Sequence, residues 1–225
     1  MAKSTGTSTK NDKRVTMTTG VGTFSFPHIF KETVSTNDDG EKVYEIQILI
    51  PKKQREDIKK VHAAIKEVAQ EKWGDNYLSV RSPLRDGDAE KKMLAEDGQT
   101  RGEKYPERLG CFFLNARSKK PVAVLDRDKD PIVEPDEVYG GAKGRLNITF
   151  YPYITKGNQG VGAGLNAVQK TGDGEAFGGA GKPDVDSMFD MLDDDDDDGD
   201  GLDLDDESKA KGKKDKGDKK KSKKK

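Results

Sequence analysis

The sequence predicts a mainly β domain, a small and partly closed antiparallel barrel with one amphipathic helix, followed by a disordered charged C-terminal tail. Three observations lead there. Short runs rich in Val, Ile, Thr, Phe and Tyr recur between Gly, Asp, Asn and Pro turns; one segment alone carries helical spacing; and beyond Pro183 the chain is charge in blocks.

Residues 1–14 are polar and read as a disordered leader. Val15 to Phe26, broken by Gly20 and Gly22, predicts a bent or bulged first strand. After the turn Asn37-Asp38-Asp39-Gly40, Tyr44, Ile46, Ile48 and Ile50 alternate against Val43, Glu45, Gln47 and Leu49 until Pro51, which is the clearest strand. In Gln54 to Trp73 the apolar residues Ile58, Val61, Ile65 and Val68 fall at spacings of 3, 4 and 3, so one face of a helix packs, and Gly74 can cap it. Residues 75–110 are polar and turn-rich, with Arg81, Arg85, Lys91, Lys92, Arg101, Lys104 and Arg108 spread among acids, and read as a long loop. Strands resume at Phe112–Arg117, Pro121–Leu125, Arg145–Tyr153 and Val161–Gln169. Several short strands plus one helix suit the oligonucleotide-binding (OB) type of barrel, and a sandwich with one covering helix gives a similar linear pattern.

The domain boundaries follow: residues 15–170 fold, 171–183 form a Gly-rich linker, 184–207 an acidic tail and 208–225 a Lys-rich terminus. A folded part of that size buries roughly 70% of the surface its extended chain exposes, enough for independent stability. The lone Cys111 excludes an intrachain disulfide, and two histidines with one cysteine are too few for a typical structural zinc site, so a reducing compartment and no cofactor are expected. No run approaches the roughly 18 apolar residues of a membrane span.

The overall charge of −1 hides strong asymmetry. Residues 184–207 hold 14 carboxylates and no Lys or Arg, and residues 208–225 hold 11 lysines against 2 aspartates. Removing those 11 basic and 16 acidic residues from the totals of 41 and 42 leaves 30 and 26 in the body, a surplus of four positive charges. A mildly basic body leashed to an acidic tail is the pattern of a self-regulated polyanion binder.

Alternation also assigns faces. In Arg145–Tyr153, Leu146, Ile148 and Phe150 make one row, and Arg145, Asn147, Thr149, Tyr151 and Tyr153 the other. In Phe112–Arg117, Phe112, Leu114 and Ala116 are expected inward, and Phe113, Asn115 and Arg117 outward, with Lys119 in the next turn. Rings beside Arg and Lys can stack on unpaired bases and neutralise phosphates together. Phe113, Arg117, Lys119, Lys143, Arg145, Tyr151, Tyr153 and Arg85 are therefore the candidate nucleic-acid contacts; rings that only pack under loops would give the same pattern.

Enzyme signals are weak. Gly178-Gly179-Ala180-Gly181-Lys182 resembles a phosphate loop, but Pro183 stands where a magnesium-binding Ser or Thr belongs and no strand precedes it. Asp194, Asp196, Asp198 and Gly199 match the start of a calcium loop without its flanking helices. Asp86 and Asp88 could hold a nuclease metal, and a turn is the simpler reading. His28 and His62 lack a catalytic partner at a telling spacing. In the tail, Phe189, Asp190, Met191 and Leu192 precede six aspartates, a segment suited to partner binding. Tethered near a basic groove at a millimolar effective concentration, it would compete with nucleic acid.

Several motifs in order, Ser82-Pro83-Leu84-Arg85-Asp86-Gly87-Asp88, Phe113-Leu114-Asn115-Ala116-Arg117-Ser118, Tyr139-Gly140-Gly141 with Gly144-Arg145, Phe150-Tyr151-Pro152-Tyr153 and Gly160 through Lys170, resemble a family of bacteriophage single-stranded-DNA-binding proteins. The resemblance covers roughly residues 20 to 190. It implies an OB fold, binding of single-stranded DNA without strong sequence preference, no catalysis and an acidic C-terminus. The lysines that follow the acids depart from the family's pattern, in which such a tail usually ends the chain. The expected partners are single-stranded DNA and, through the tail, phage or host replication and recombination proteins, in the cytoplasm of an infected bacterium; a homo-oligomer is compatible. A non-enzymatic scaffold whose charged tail recruits partners is the alternative.

Overall fold

The computed structural model describes residues 12–31, 33–36, 40–155 and 157–177. Most of the leader, the end of the Gly-rich segment, and both charged blocks with Phe189, Asp190, Met191 and Leu192 lie outside the described residues.

The stretch read as one bent strand is two, β1 (Val15–Thr18) and β2 (Gly22–His28). Thr19 between them is tied to Leu146 by both backbone and hydroxyl, at 2.9 and 3.0 Å. A Cβ on Gly20 would stand 2.3 Å from the Asp57 carboxylate, which would have to move aside. Next come β3 (Ser35–Thr36), β4 (Lys42–Pro51) and the helix α1 (Arg55–Trp73). Gly74 ends α1 with φ 56° and donates its N–H to the Gln70 carbonyl, a conformation that costs glycine little. The helix buries Ile58, Val61, Ile65 and Val68, as its spacing predicts, together with Ala64 and Ala69. Each large apolar side chain so buried contributes roughly 1.5–3 kcal/mol.

Residues 75–110, expected as a loop, are instead a folded cap. It contains β5 (Leu84–Asp86), the short helices α2 (Gly87–Glu90) and α3 (Arg101–Lys104), and 3-10 segments at Gly74–Ser79 and Pro106–Arg108. Local chemistry explains the turns: the Asp86 carboxylate accepts from the Asp88 N–H, and Thr100 and Glu103 form a reciprocal capping box. Then follow β6 (Cys111–Ser118), β7 (Ala123–Leu125), β8 (Lys143–Thr155) and β9 (Asn158–Gly172).

β4 pairs with β2 on one side and with β6 on the other, from Tyr44 opposite Ser118 to Pro51 opposite Cys111. β8 and β9 form the longest hairpin, and β8 also pairs with β1 and β2. β9 meets β6 at the Arg117–Gly164 pair. The pairings thus return to β2 through β4, β6, β9 and β8, which is the OB-type arrangement. Not every contact is antiparallel: β9 runs parallel to β6 and β7, because β8 reverses the chain before β9. The core gathers Ile46, Ile48, Ile50, Leu114, Ala116, Leu146, Ile148, Phe150 and Leu165 under α1. Among the described residues no helix is long and apolar enough to cross a membrane.

Candidate nucleic-acid interface

The outer row of β8 meets a strand built to receive it. In β9, Val161, Ala163 and Leu165 enter the core, while Gly160, Gly162 and Gly164 alternate with them on the other face. Tyr151 is registered opposite Gly162, and Tyr153 opposite Gly160. A Cβ on Gly162 would lie 2.7 Å from the Tyr151 Cζ, and one on Gly160 would lie 3.1 Å from the Tyr153 hydroxyl. The two rings therefore lie across a glycine strip, half-buried rather than upright in solvent.

This strip floors an open groove of about 740 Å³. Tyr151, Tyr153, Arg85, Arg117 and Lys119, five of the eight expected contacts, line it together, with Arg81, Pro83 and Asn115. Arg81 is held there by a bridge to the glycine strip: its N–H donates to Gln159 O at 3.1 Å and its carbonyl accepts from Val161 N at 2.9 Å. Three of the lining cations are charge-paired. Arg85 grips Glu90, which Arg101 also reaches at 2.7 Å; Arg117 Nε lies 2.8 Å from Glu45, and Lys119 Nζ 2.6 Å from Glu41. Arg14 lies over the Tyr151 ring at 5.9 Å. The Arg117 and Lys119 pairs are the solvent-exposed ones, and such pairs contribute only about 0–1 kcal/mol each, so a phosphate can replace their carboxylates at small cost.

Three expected contacts sit elsewhere. Phe113 was expected to present its ring outward; it is 1% exposed. It does leave the Leu114 and Ala116 face, but β5 pairs over it, Arg85 opposite Phe113, and the guanidiniums of Arg85 and Arg108 cover the ring at 4.9 and 4.7 Å. Phe113 is a platform for cations, not an open surface for a base. Arg145 and Lys143 lie beyond a register shift between Asn147 and Ile148, where Asn166 is the extra residue on β9. Arg145 lines a separate cleft of about 250 Å³ with Thr18 and Leu125, and donates to Gln169 at 2.7 Å. Lys143 donates to the Thr23 hydroxyl at 2.6 Å. A bulge rotates the side chains that follow it, and the sequence row does not show that rotation.

A second cluster was missed. Beside the groove, a cleft of about 200 Å³ is lined by Phe26, Tyr105 and Arg108 and shares Asn115 and Arg117 with it. The Arg108 guanidinium lies 3.8 Å from the Tyr105 ring centre and 5.9 Å from that of Phe26, and its Nε donates to Gln47 at 3.0 Å. Burial pushes the Arg108 group below its ordinary pKa, against the pull of Glu107 and Tyr105. The signals were a Tyr-x-x-Arg step at the end of the cap and a phenylalanine beside Pro27; neither says that the two segments meet.

Asp86 and Asp88 hold a lysine rather than an open site: Lys52 Nζ lies 2.6 Å from one and 2.8 Å from the other, and Asp88 also accepts from the Gly110 N–H at 3.1 Å. These contacts depress the Asp88 pKa, Lys52 first and then Gly110. Among the described residues no group of three or more His, Cys, Asp or Glu is placed to hold a metal ion.

The fold has known counterparts. The chain is 32% identical over 178 residues, 74% of its own length and 89% of that protein, to protein p50 of Acyrthosiphon pisum secondary endosymbiont phage 1. It resembles in fold the single-stranded DNA-binding protein from bacteriophage Enc34 in complex with ssDNA, with a TM-score of 0.58, 24% identity and coverage of 79% of this chain and 96% of that one. A second structure of the single-stranded DNA-binding protein from bacteriophage Enc34 gives a TM-score of 0.55 at 22% identity, covering 84% of this chain and 97% of that one. A family model described as Enterobacter phage Enc34, ssDNA-binding protein, matches residues 15–200, and with most of the sequence spanned the chain belongs to that family.

Proposed function

We propose that this protein coats single-stranded DNA without strong sequence preference, using the groove over the glycine strip. The observation that carries the reading is the placement of Tyr151 and Tyr153 on Gly160 and Gly162, with Arg81, Arg117 and Lys119 at the rim. Flat, half-exposed rings stack on any base, each worth roughly 1–3 kcal/mol, and the cations follow the phosphate chain. Every base has a ring face, so the chemistry distinguishes unstacked from paired nucleic acid rather than one sequence from another. Family membership and the likeness in fold to a protein solved with ssDNA support the same reading.

The finer proposals extend this. The protein acts in DNA replication, recombination or repair of a phage, in the cytoplasm of the infected host, as a binder and not an enzyme. Its acidic segment at 184–207 imitates the polyanion, competes for the basic groove, and on release offers Phe189, Asp190, Met191 and Leu192 to replication or recombination proteins. The test is a gel shift of labelled oligo-dT with single-stranded, duplex and RNA competitors, in magnesium. A shift resisted by duplex, with the oligonucleotide left intact, supports the proposal; no shift at low salt, or shortening of the oligonucleotide, contradicts it. Removing residues 184–225 should tighten binding, and unchanged affinity counts against the tail's competing role.

A further inference from the structure

We infer that Phe26, Tyr105 and Arg108 form a second nucleotide station, and that a bound single strand reaches it from the tyrosine groove across Arg117 and Asn115. The inference rests on the strand-binding reading above and adds a path and a length to it.

Phe26 carries the first argument. Period-2 alternation would send it to the core with Phe24, which is fully buried, yet the residue is 45% exposed. A bulge between Ser25 and His28 turns it out, and its backbone takes φ 48°. For a bulky L-residue that conformation is a true outlier, and a following proline, here Pro27, further favours extended backbone. Strain of this kind persists where the surroundings impose it and gathers at ligand clamps. The chain holds a strained phenylalanine in solvent beside an arginine.

Arg108 carries the second. Its guanidinium is half-buried between the Tyr105 and Phe113 rings, and among the described residues it forms no ion pair. Burial disfavours its charged form, so an incoming phosphate would restore what burial removes. The one carboxylate in this cleft, Glu45, is already held by Arg117 at 2.8 Å and by the Ser35 hydroxyl at 2.9 Å. That leaves Arg108 to take the phosphate and Phe26 with Tyr105, edge to face at 5.9 Å, to take the base.

Continuity carries the third. Phe26 stands on β2 and Tyr151 on β8, with β4, β6 and β9 between them on the side of the ring that carries Gln47, Asn115 and Arg117. Four strand spacings of about 4.8 Å make a path of about 19 Å. At about 3.4 Å per stacked nucleotide it holds no more than about six, and fewer when extended.

The test compares full-length wild type with Phe26→Gly and Tyr105→Leu by fluorescence anisotropy on oligo-dT of increasing length, from about 3 to about 16 nucleotides, with a thermal melt of each protein. In the wild type, affinity climbs steeply as the oligonucleotide grows long enough to span both stations. In Phe26→Gly the climb is roughly 5- to 150-fold smaller, while Tm stays level or rises because glycine accepts the backbone conformation. Tyr105→Leu keeps apolar packing and shows the same reduced climb. A climb equal to wild type in both variants overturns the second station and leaves the groove standing. So does a fall in Tm with an equal affinity loss at every length, since the ring is then structural. A wild type that binds no oligonucleotide overturns the strand-binding reading and this inference with it.

Discussion

The Tyr151 ring lies so close to Gly162 that a Cβ there would stand 2.7 Å from its Cζ and 2.9 Å from its hydroxyl oxygen. The obstruction is the far end of a side chain, which can swing away, rather than backbone. Gly162→Ala should therefore leave the fold and Tm close to wild type while lifting the ring off the strip. Affinity for oligo-dT should fall by up to the value of one stacked base, about 1–3 kcal/mol, measured by anisotropy. A drop in Tm with affinity intact would show that the glycine serves packing alone.

Glu45 holds Arg117 at 2.8 Å in the same cleft that a phosphate would enter. Glu45→Gln frees the guanidinium and removes a repelling charge. Oligo-dT affinity should rise, and the slope of log affinity on log salt should steepen by about 0.7, the value of one more neutralised phosphate. A titration from low to moderate salt reads both.

Phe113 is buried beneath Arg85 and Arg108. Phe113→Ala should cost about 3–5 kcal/mol in denaturant unfolding, the usual toll of truncating a buried phenylalanine. Tyr153→Ala should cost far less in stability and more in binding. Similar stability losses at the two positions would contradict their different placement.

Lys52 joins Asp86 and Asp88 and so ties the end of β4 to the cap. Its own pKa is raised, chiefly by hydrogen bonds to those two carboxylates, and that of Asp88 is lowered. A depressed carboxylate stabilises above its unfolded pKa and loses that contribution as pH falls through the folded one; a raised lysine stabilises below its unfolded pKa and loses it as pH rises through the folded one. Wild type should thus exceed Lys52→Met in stability by a constant margin near neutrality. The margin should close below about pH 4 and again above about pH 10.5. Chemical unfolding across that range reads it.

How much of this was legible depended on whether the cause was local. The core row Leu146, Ile148 and Phe150 and the helix stripe from Ile58 to Val68 follow from spacing within one segment, and the structure buries both. The outer face of β6 was not legible, because its cover arrives from Leu84–Asp86, nearly thirty residues earlier in the chain. The placements of Arg145 and Phe26 escape simple alternation for a common reason. Alternation holds only until a bulge, and each lies at or beyond one. The alternating glycines from Gly160 to Gly164 could be read as a motif, but their purpose needs the register that lays Tyr151 and Tyr153 on them.

The central claim is that Tyr151 and Tyr153, laid on the glycine strip, are the surface on which bases stack. The most direct measurement is anisotropy of fluorescent oligo-dT with wild type and with the Tyr151→Ala/Tyr153→Ala double variant at fixed low salt, beside a thermal melt. The account predicts tight binding by wild type and a loss of about 2–6 kcal/mol in the double variant, with the fold retained. Equal affinity of the two folded proteins for oligo-dT would contradict it.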